Sequence, residues 1–137
     1  MTDKAKANAA VLALRQPSPR PVRWEEALAV VTVRGDLDRE GLEAIDFAVC
    51  RSSVEAGRVV LDLCEVSHLD YAGVALLVAR RRELCGRGGE LVIAVRSPYV
   101  ANILRAAGGA DLLLCRSVEE ASGAVAVVTK VRAARRR

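Results

Sequence analysis

The sequence predicts an α/β fold: one domain with a mainly parallel central sheet and helices packed on it. Two observations lead there. After residue 27, short runs rich in Val, Leu and Ile alternate with longer amphipathic stretches. That strand–helix–strand order joins parallel strands through crossover helices. Glycines and a Ser-Pro pair punctuate the stretches where helices stop and start. A length of 137 residues fits a single domain that buries roughly two thirds of its unfolded surface.

Residues 1–26 are read as an N-terminal segment. Within it, Ala9–Leu14 is expected to be a first short strand. Gln16 to Val22, with Pro17, Pro19 and Pro21, reads as an extended loop, because proline fixes φ and removes a backbone donor. The body spans 27–125. Ala27–Val33 is a β-rich run that Arg34 and Gly35 are expected to end. Asp38 suits an N-cap, where a carboxylate accepts free backbone N–H groups. Leu42, Ile45, Phe47, Val49 and Cys50, set among polar residues, carry a helix to about Glu55, and Gly57 stops it.

Arg58–Leu63 is a short apolar strand, and Cys64–Asp70 reads as a turn-like segment. Ala72–Cys85 is a helix with Val74, Leu77, Val78, Leu84 and Cys85 on one face and Arg80, Arg82 and Glu83 off it. Gly86, Gly88 and Gly89 end it. Glu90–Val95 is the next strand. Ser97 caps a third helix with Pro98 at its first position, and Gly108-Gly109 closes it after an apolar stripe of Val100, Ile103 and Leu104. Asp111–Cys115 reads as a last short strand. Ser117 opens a final helix, spaced with Glu120 as a capping box. Residues 126–137 are read as the end of that helix and a basic tail.

Composition narrows the function classes. The net charge is +4, and the last six residues hold Arg132, Arg135, Arg136 and Arg137; without these four the balance is zero. A neutral body with a solvated basic tail argues against a nucleic-acid binder, which carries its basic stripe on the folded surface. Aromatics make up 3% of the chain, so platforms for stacking bases or sugars are nearly absent. No run approaches the ~18 apolar residues of a membrane span. The N-terminal Ala/Val/Leu patch is short and broken by Asn8 and Arg15, unlike a signal peptide. A cytoplasmic location is therefore expected.

Candidate chemistry is sparse. The one histidine, His68, pairs with Cys64 only at helical spacing, in a segment not expected to be helical, so neither nucleophilic catalysis nor an enzyme is indicated. Cys50, Cys64, Cys85 and Cys115 include no CxxC pair, so neither a zinc site nor any other metal or cofactor is expected, and the thiols are expected to be free. Gly86-Arg87-Gly88-Gly89 follows a helix instead of opening one and lacks the spacing of a phosphate loop. Arg80-Arg81-Arg82 reads as the solvated part of its helix, with Arg81 a candidate to flank an interface.

The segment Leu69 to Val74 stands apart. It lies where the chain leaves a parallel strand and enters a helix, a place where backbone N–H groups point outward. Asp70 suits a cap, Tyr71 is either a core ring or an exposed anchor, and Gly73 admits close approach of another backbone. With Asp36 and Asp38 after the preceding strand, the expected binding surface comprises Asp36, Asp38, Asp70, Tyr71, Ala72, Gly73 and Val74.

These pieces resemble the STAS domain of the bacterial anti-sigma factor antagonists. Gly35-Asp36-Leu37-Asp38, Val59 to Leu63 followed by Val66 to Asp70, Arg87 to Ile93, and Ser97-Pro98 match that family's blocks in order and spacing over residues 27–125. The resemblance implies a protein that binds an anti-sigma factor, often a serine kinase with an ATP-binding fold, and so frees a sigma factor. It also implies a switch in which the partner phosphorylates a Ser or Thr directly before the glycine of the Asp-Ser-Ser/Thr-Gly motif. Here that position is Ala72, preceded by Tyr71, so the switch is expected to be missing. The alternative is a STAS module that binds a nucleotide or small anion, or serves as a subunit of a transport or stress-signalling complex.

Overall fold

The computed structural model describes residues 9–15 and 22–135. Its sheet has five strands in sequential order: β1 Ala9–Arg15, β2 Leu28–Leu37, β3 Arg58–Leu69, β4 Glu90–Ala94 and β5 Leu114–Cys115. β1 runs antiparallel to β2, and β2 through β5 are parallel. The helices are α1 Arg39–Glu55, α2 Val74–Gly86, α3 Pro98–Gly108 and α4 Val118–Arg135, with short 3₁₀ turns at Tyr71–Gly73 and Gly109–Asp111. The fold class is the expected one. The Pro-rich loop of residues 16–21, the polar residues 1–8 and the last two arginines lie outside the described residues.

Alternation along the strands sorts the core into two layers. Val31, Val59, Leu61, Leu63, Leu91 and Ile93 point to one face and pack with Leu42, Ile45 and Val49 of α1, Leu77 and Leu84 of α2, and Leu104 of α3. Val30, Val60, Val92 and Ala94 point to the other and pack with Ala121 and Val125 of α4. Parallel strands covered on both faces read as continuous apolar runs, which is what Arg58–Leu63 and Glu90–Val95 are in the sequence.

Caps follow the local chemistry. Gly41 N donates to Asp38 Oδ1 at 2.8 Å, and Val100 N donates to Ser97 Oγ at 3.3 Å. At the start of α4, Glu120 N donates to Ser117 Oγ at 3.1 Å, while Glu120 Oε1 accepts from Arg116 N, one residue earlier than a regular capping box provides. After α1, Gly57 N donates to Trp24 O at 2.7 Å, and a Cβ at Gly57 would collide with Trp24 backbone and ring.

Several expectations are corrected. β2 does not end at Arg34 but runs to Leu37, and Cys64–Asp70 is not a turn: β3 continues to Leu69. The two extensions pair with each other, with Arg34 opposite Glu65 and Leu37 opposite Leu69. The register shifts twice along the way, as β-bulges in β3 allow. The Asp62 carboxylate accepts from Cys64 N at 3.0 Å beside the first irregularity, and Gly35 adopts φ +92°. At the other end of the sheet, β5 is only Leu114–Cys115, because Gly109–Asp111 coils as a 3₁₀ turn.

Of the Arg80-Arg81-Arg82 run only Arg82 is solvated; the other two are not. Arg80 makes two hydrogen bonds to Asp46, at 2.9 and 3.2 Å. Arg81 grips Glu90, whose side chain is 0% exposed, through bonds of 2.7 and 3.1 Å. Nor is Arg132 part of a solvated tail. Its guanidinium reaches Glu90 Oε2 at 2.8 Å and Gly89 O at 3.3 Å. α4 crosses residue 126 without a break and buries Thr129. A buried carboxylate is unfavourable unless paired, and Glu90 has two guanidiniums and the Leu91 N–H.

Candidate functional site

A parallel sheet gathers the loops that follow its strands at one edge, and ligands of such folds sit there. In this chain the edge is built by the ends of β2 and β3, which run side by side to Asp36–His68 and Leu37–Leu69. Asp70 N donates to Leu37 O at 2.9 Å and locks the two exits together. The expected residues of the two loops are therefore neighbours.

Each of the three aspartates is held. Ser67 Oγ donates to Asp36 Oδ1 at 2.5 Å. Asp38 caps α1. Asp70 accepts from Ala72 N at 3.4 Å through its side chain and from Gly73 N at 3.1 Å through its carbonyl. Carboxylates at two helix starts gain from the exposed N–H groups and the helix dipole, so the acidic edge costs the fold little. Asp36 and Asp38 remain exposed and Asp70 is half-buried.

Tyr71 resolves as an exposed ring, 58% accessible, with its hydroxyl donating to Ala106 O of α3 at 3.4 Å. Ala72 is exposed beside it, while Gly73 and Val74 are buried. Gly73 faces Leu42 so closely that a Cβ there would overlap the leucine side chain. These two residues therefore support the surface from beneath, seating the helix start against α1.

Two further side chains belong to this edge and were not anticipated. The His68 and Tyr99 rings stack with centroids 5.8 Å apart, and Tyr99 Oη and His68 Nδ1 share a hydrogen bond of 3.1 Å. Tyr99 is 54% exposed. Its position was legible in principle: it sits in the first turn of a helix that follows a parallel strand, as Tyr71 does. The edge thus presents two exposed tyrosines among three carboxylates.

Cys64 and His68 do not form a catalytic pair. Positions four apart on extended backbone are about 13 Å apart, and Cys64 lies on β3 four residues before His68. Burial and the Asp62 carboxylate push the Cys64 thiol up to about 11. Burial raises Cys85 and Cys115 as well, with Glu90 and Glu120 adding to it. Among the described residues no group of three His, Cys, Asp or Glu side chains is placed to hold a metal ion.

Comparison with known proteins agrees with this architecture. A family model described as "Mlab, STAS domain" matches residues 21–114. Osmosensory protein A of Mycobacterium tuberculosis is 39% identical over 75 residues; the match covers 55% of this chain and 47% of that protein, so the chain spans about half the length of this relative. Among solved structures, an anti-sigma factor antagonist from Mycobacterium paratuberculosis superposes with a TM-score of 0.66 at 21% identity, covering 85% of this chain and 94% of that one. The phosphorylated form of the Bacillus cell fate determinant SpoIIAA gives 0.58 at 22% identity, covering 85% and 99% of the two chains. The unphosphorylated form of the anti-sigma factor antagonist SpoIIAA gives 0.57 at 22%, covering 90% and 97%.

Proposed function

We propose that this chain, which belongs to the STAS domain family, acts as an anti-sigma factor antagonist. It docks a kinase-fold anti-sigma factor on the edge formed by Asp36, Asp38, Asp70, Tyr71 and Ala72, and frees the sigma factor held by that partner. It works in the cytoplasm, by binding and not by catalysis. Among the described residues no helix is long and apolar enough to cross a membrane.

The observation that carries this reading is the exposed Tyr71 at a rigid acidic helix start. An aromatic ring fixed on a pre-ordered backbone buries much area at little entropic cost, and such residues dominate interface energies. The fold shared with anti-sigma factor antagonists supports the assignment. In this reading Ala72 occupies the acceptor position, so the partner cannot switch the protein off by phosphorylating it.

Size-exclusion chromatography of the chain mixed with purified kinase-fold anti-sigma factors tests the proposal. The chain should co-elute with one of them, and adding the matching sigma factor should yield free sigma. Separate elution from every candidate, with each shown to bind its own sigma factor, contradicts it.

A further inference from the structure

A second feature lies beside the docking edge just described, next to Tyr99 at the start of α3. An open cleft of about 600 Å³ separates the starts of α3 and α4 beyond the ends of β4 and β5. Its floor includes Ala101 and Leu114, and its rim carries Arg96, Arg105, Arg116 and Glu120. Most arginines elsewhere are engaged: Arg80, Arg81, Arg82, Arg87 and Arg132 all pair with carboxylates. Arg51 lies over the Phe47 ring, and Arg58 bonds Thr129. The guanidiniums of Arg96, Arg105 and Arg116 have no ion pair and no side-chain hydrogen bond among the described residues. Three arginines without a carboxylate partner thus line one cleft.

We propose that this cleft binds a compact anion carrying two or more phosphate groups. With Glu120 included, the rim has three positive groups and one negative, which suits a ligand with at least two negative charges. Planar guanidiniums bind phosphate oxygens in pairs. The α3 and α4 starts direct their positive dipole ends to the same region. No aromatic ring lines the cleft, so nothing there would stack a nucleobase, and the recognised part is the phosphate group itself. Arg96 lies on the loop before α3 and Arg105 in its last turn, so the two would reach the anion from different ends of that helix.

Calorimetric titration with pyrophosphate tests this, with orthophosphate, inorganic tripolyphosphate and adenosine triphosphate as comparisons. Pyrophosphate should bind at one site per chain and more tightly than orthophosphate. The double substitution Arg96→Gln, Arg105→Gln should weaken it by at least about tenfold, since each removes a charge-assisted bond. Arg51→Gln, on α1, should leave it unchanged. Both arginines are exposed and unpaired, so circular dichroism should show native folding in the double variant. Absence of saturable binding, equal affinity for orthophosphate, or binding untouched by the double substitution overturns the proposal. Adenosine triphosphate bound far more tightly than inorganic tripolyphosphate overturns the claim that phosphate alone is recognised.

Discussion

At Ala72 a methyl group occupies an exposed helix start whose backbone N–H is held by Asp70. A serine placed there would offer its hydroxyl to a docked kinase, and its phosphate would bring a charge near −1.5 to −2 to an edge already lined by carboxylates. The nearest other hydroxyls are committed: Tyr71 to Ala106 O and Ser67 to Asp36. Incubation with the partner and Mg-ATP should therefore leave the intact mass of the native chain unchanged and add one phosphate to Ala72→Ser. Phosphate on the native chain with release of the partner contradicts this. The cysteines give a second prediction at this scale. Burial and neighbouring carboxylates raise Cys64, Cys85 and Cys115, and thiolate is the reactive form. At pH 8, iodoacetamide should label these three far more slowly in the native chain than in denaturant, read by peptide mass mapping. Equal rates would show that the raised values are absent.

Among the elements, the end of α4 is fixed to the sheet through Glu90. Burial pushes its carboxyl up, but Arg81, the Leu91 N–H and Arg132 outweigh that and hold it below the usual range. A carboxyl depressed on folding stabilises the native state above its unfolded value, about 4.3, and that contribution fades as pH falls through the lower folded value. Glu90→Gln strands two guanidiniums and should cost about 3 kcal/mol in denaturant unfolding at pH 7. The variant should also lose part of the stability decline of the native chain below about pH 4. A cost under about 0.5 kcal/mol, the size expected of an exposed pair, would contradict the buried network. None of this was visible in the sequence. A charge at the start of a strand and a run of three arginines look solvated until the crossover from α2 to β4 brings Arg81 over Glu90 and α4 returns Arg132 from the far end of the chain. The lengths of β2 and β3 were hidden for a related reason. Arg34, Glu65, Ser67 and His68 are polar and exposed, so their segment lacks the apolar signature of a strand, and only pairing between the two extensions makes them one.

Over the whole molecule, the apolar runs Arg58–Leu63 and Glu90–Val95 and the caps Asp38, Ser97 and Ser117 made the alternating architecture legible, because local chemistry and tertiary placement agree there. The candidate edge was legible in part. Parallel strands must end together, which brought Asp36, Asp38, Asp70 and Tyr71 to one side, while Tyr99 needed the packed α3 to join them. Gly73 and Val74 share the same loop but turn inward, a distinction set by contact with Leu42 and not by the motif. The account rests on that edge being where the anti-sigma factor docks. The most direct test is the calorimetric affinity of the partner for Tyr71→Ala against Phe47→Ala, a similarly exposed aromatic on α1. Tyr71→Ala should weaken binding by about 2 kcal/mol, roughly thirtyfold, as for an interface hot spot, and Phe47→Ala should leave it unchanged; native affinity in Tyr71→Ala, with the fold intact, would contradict the account.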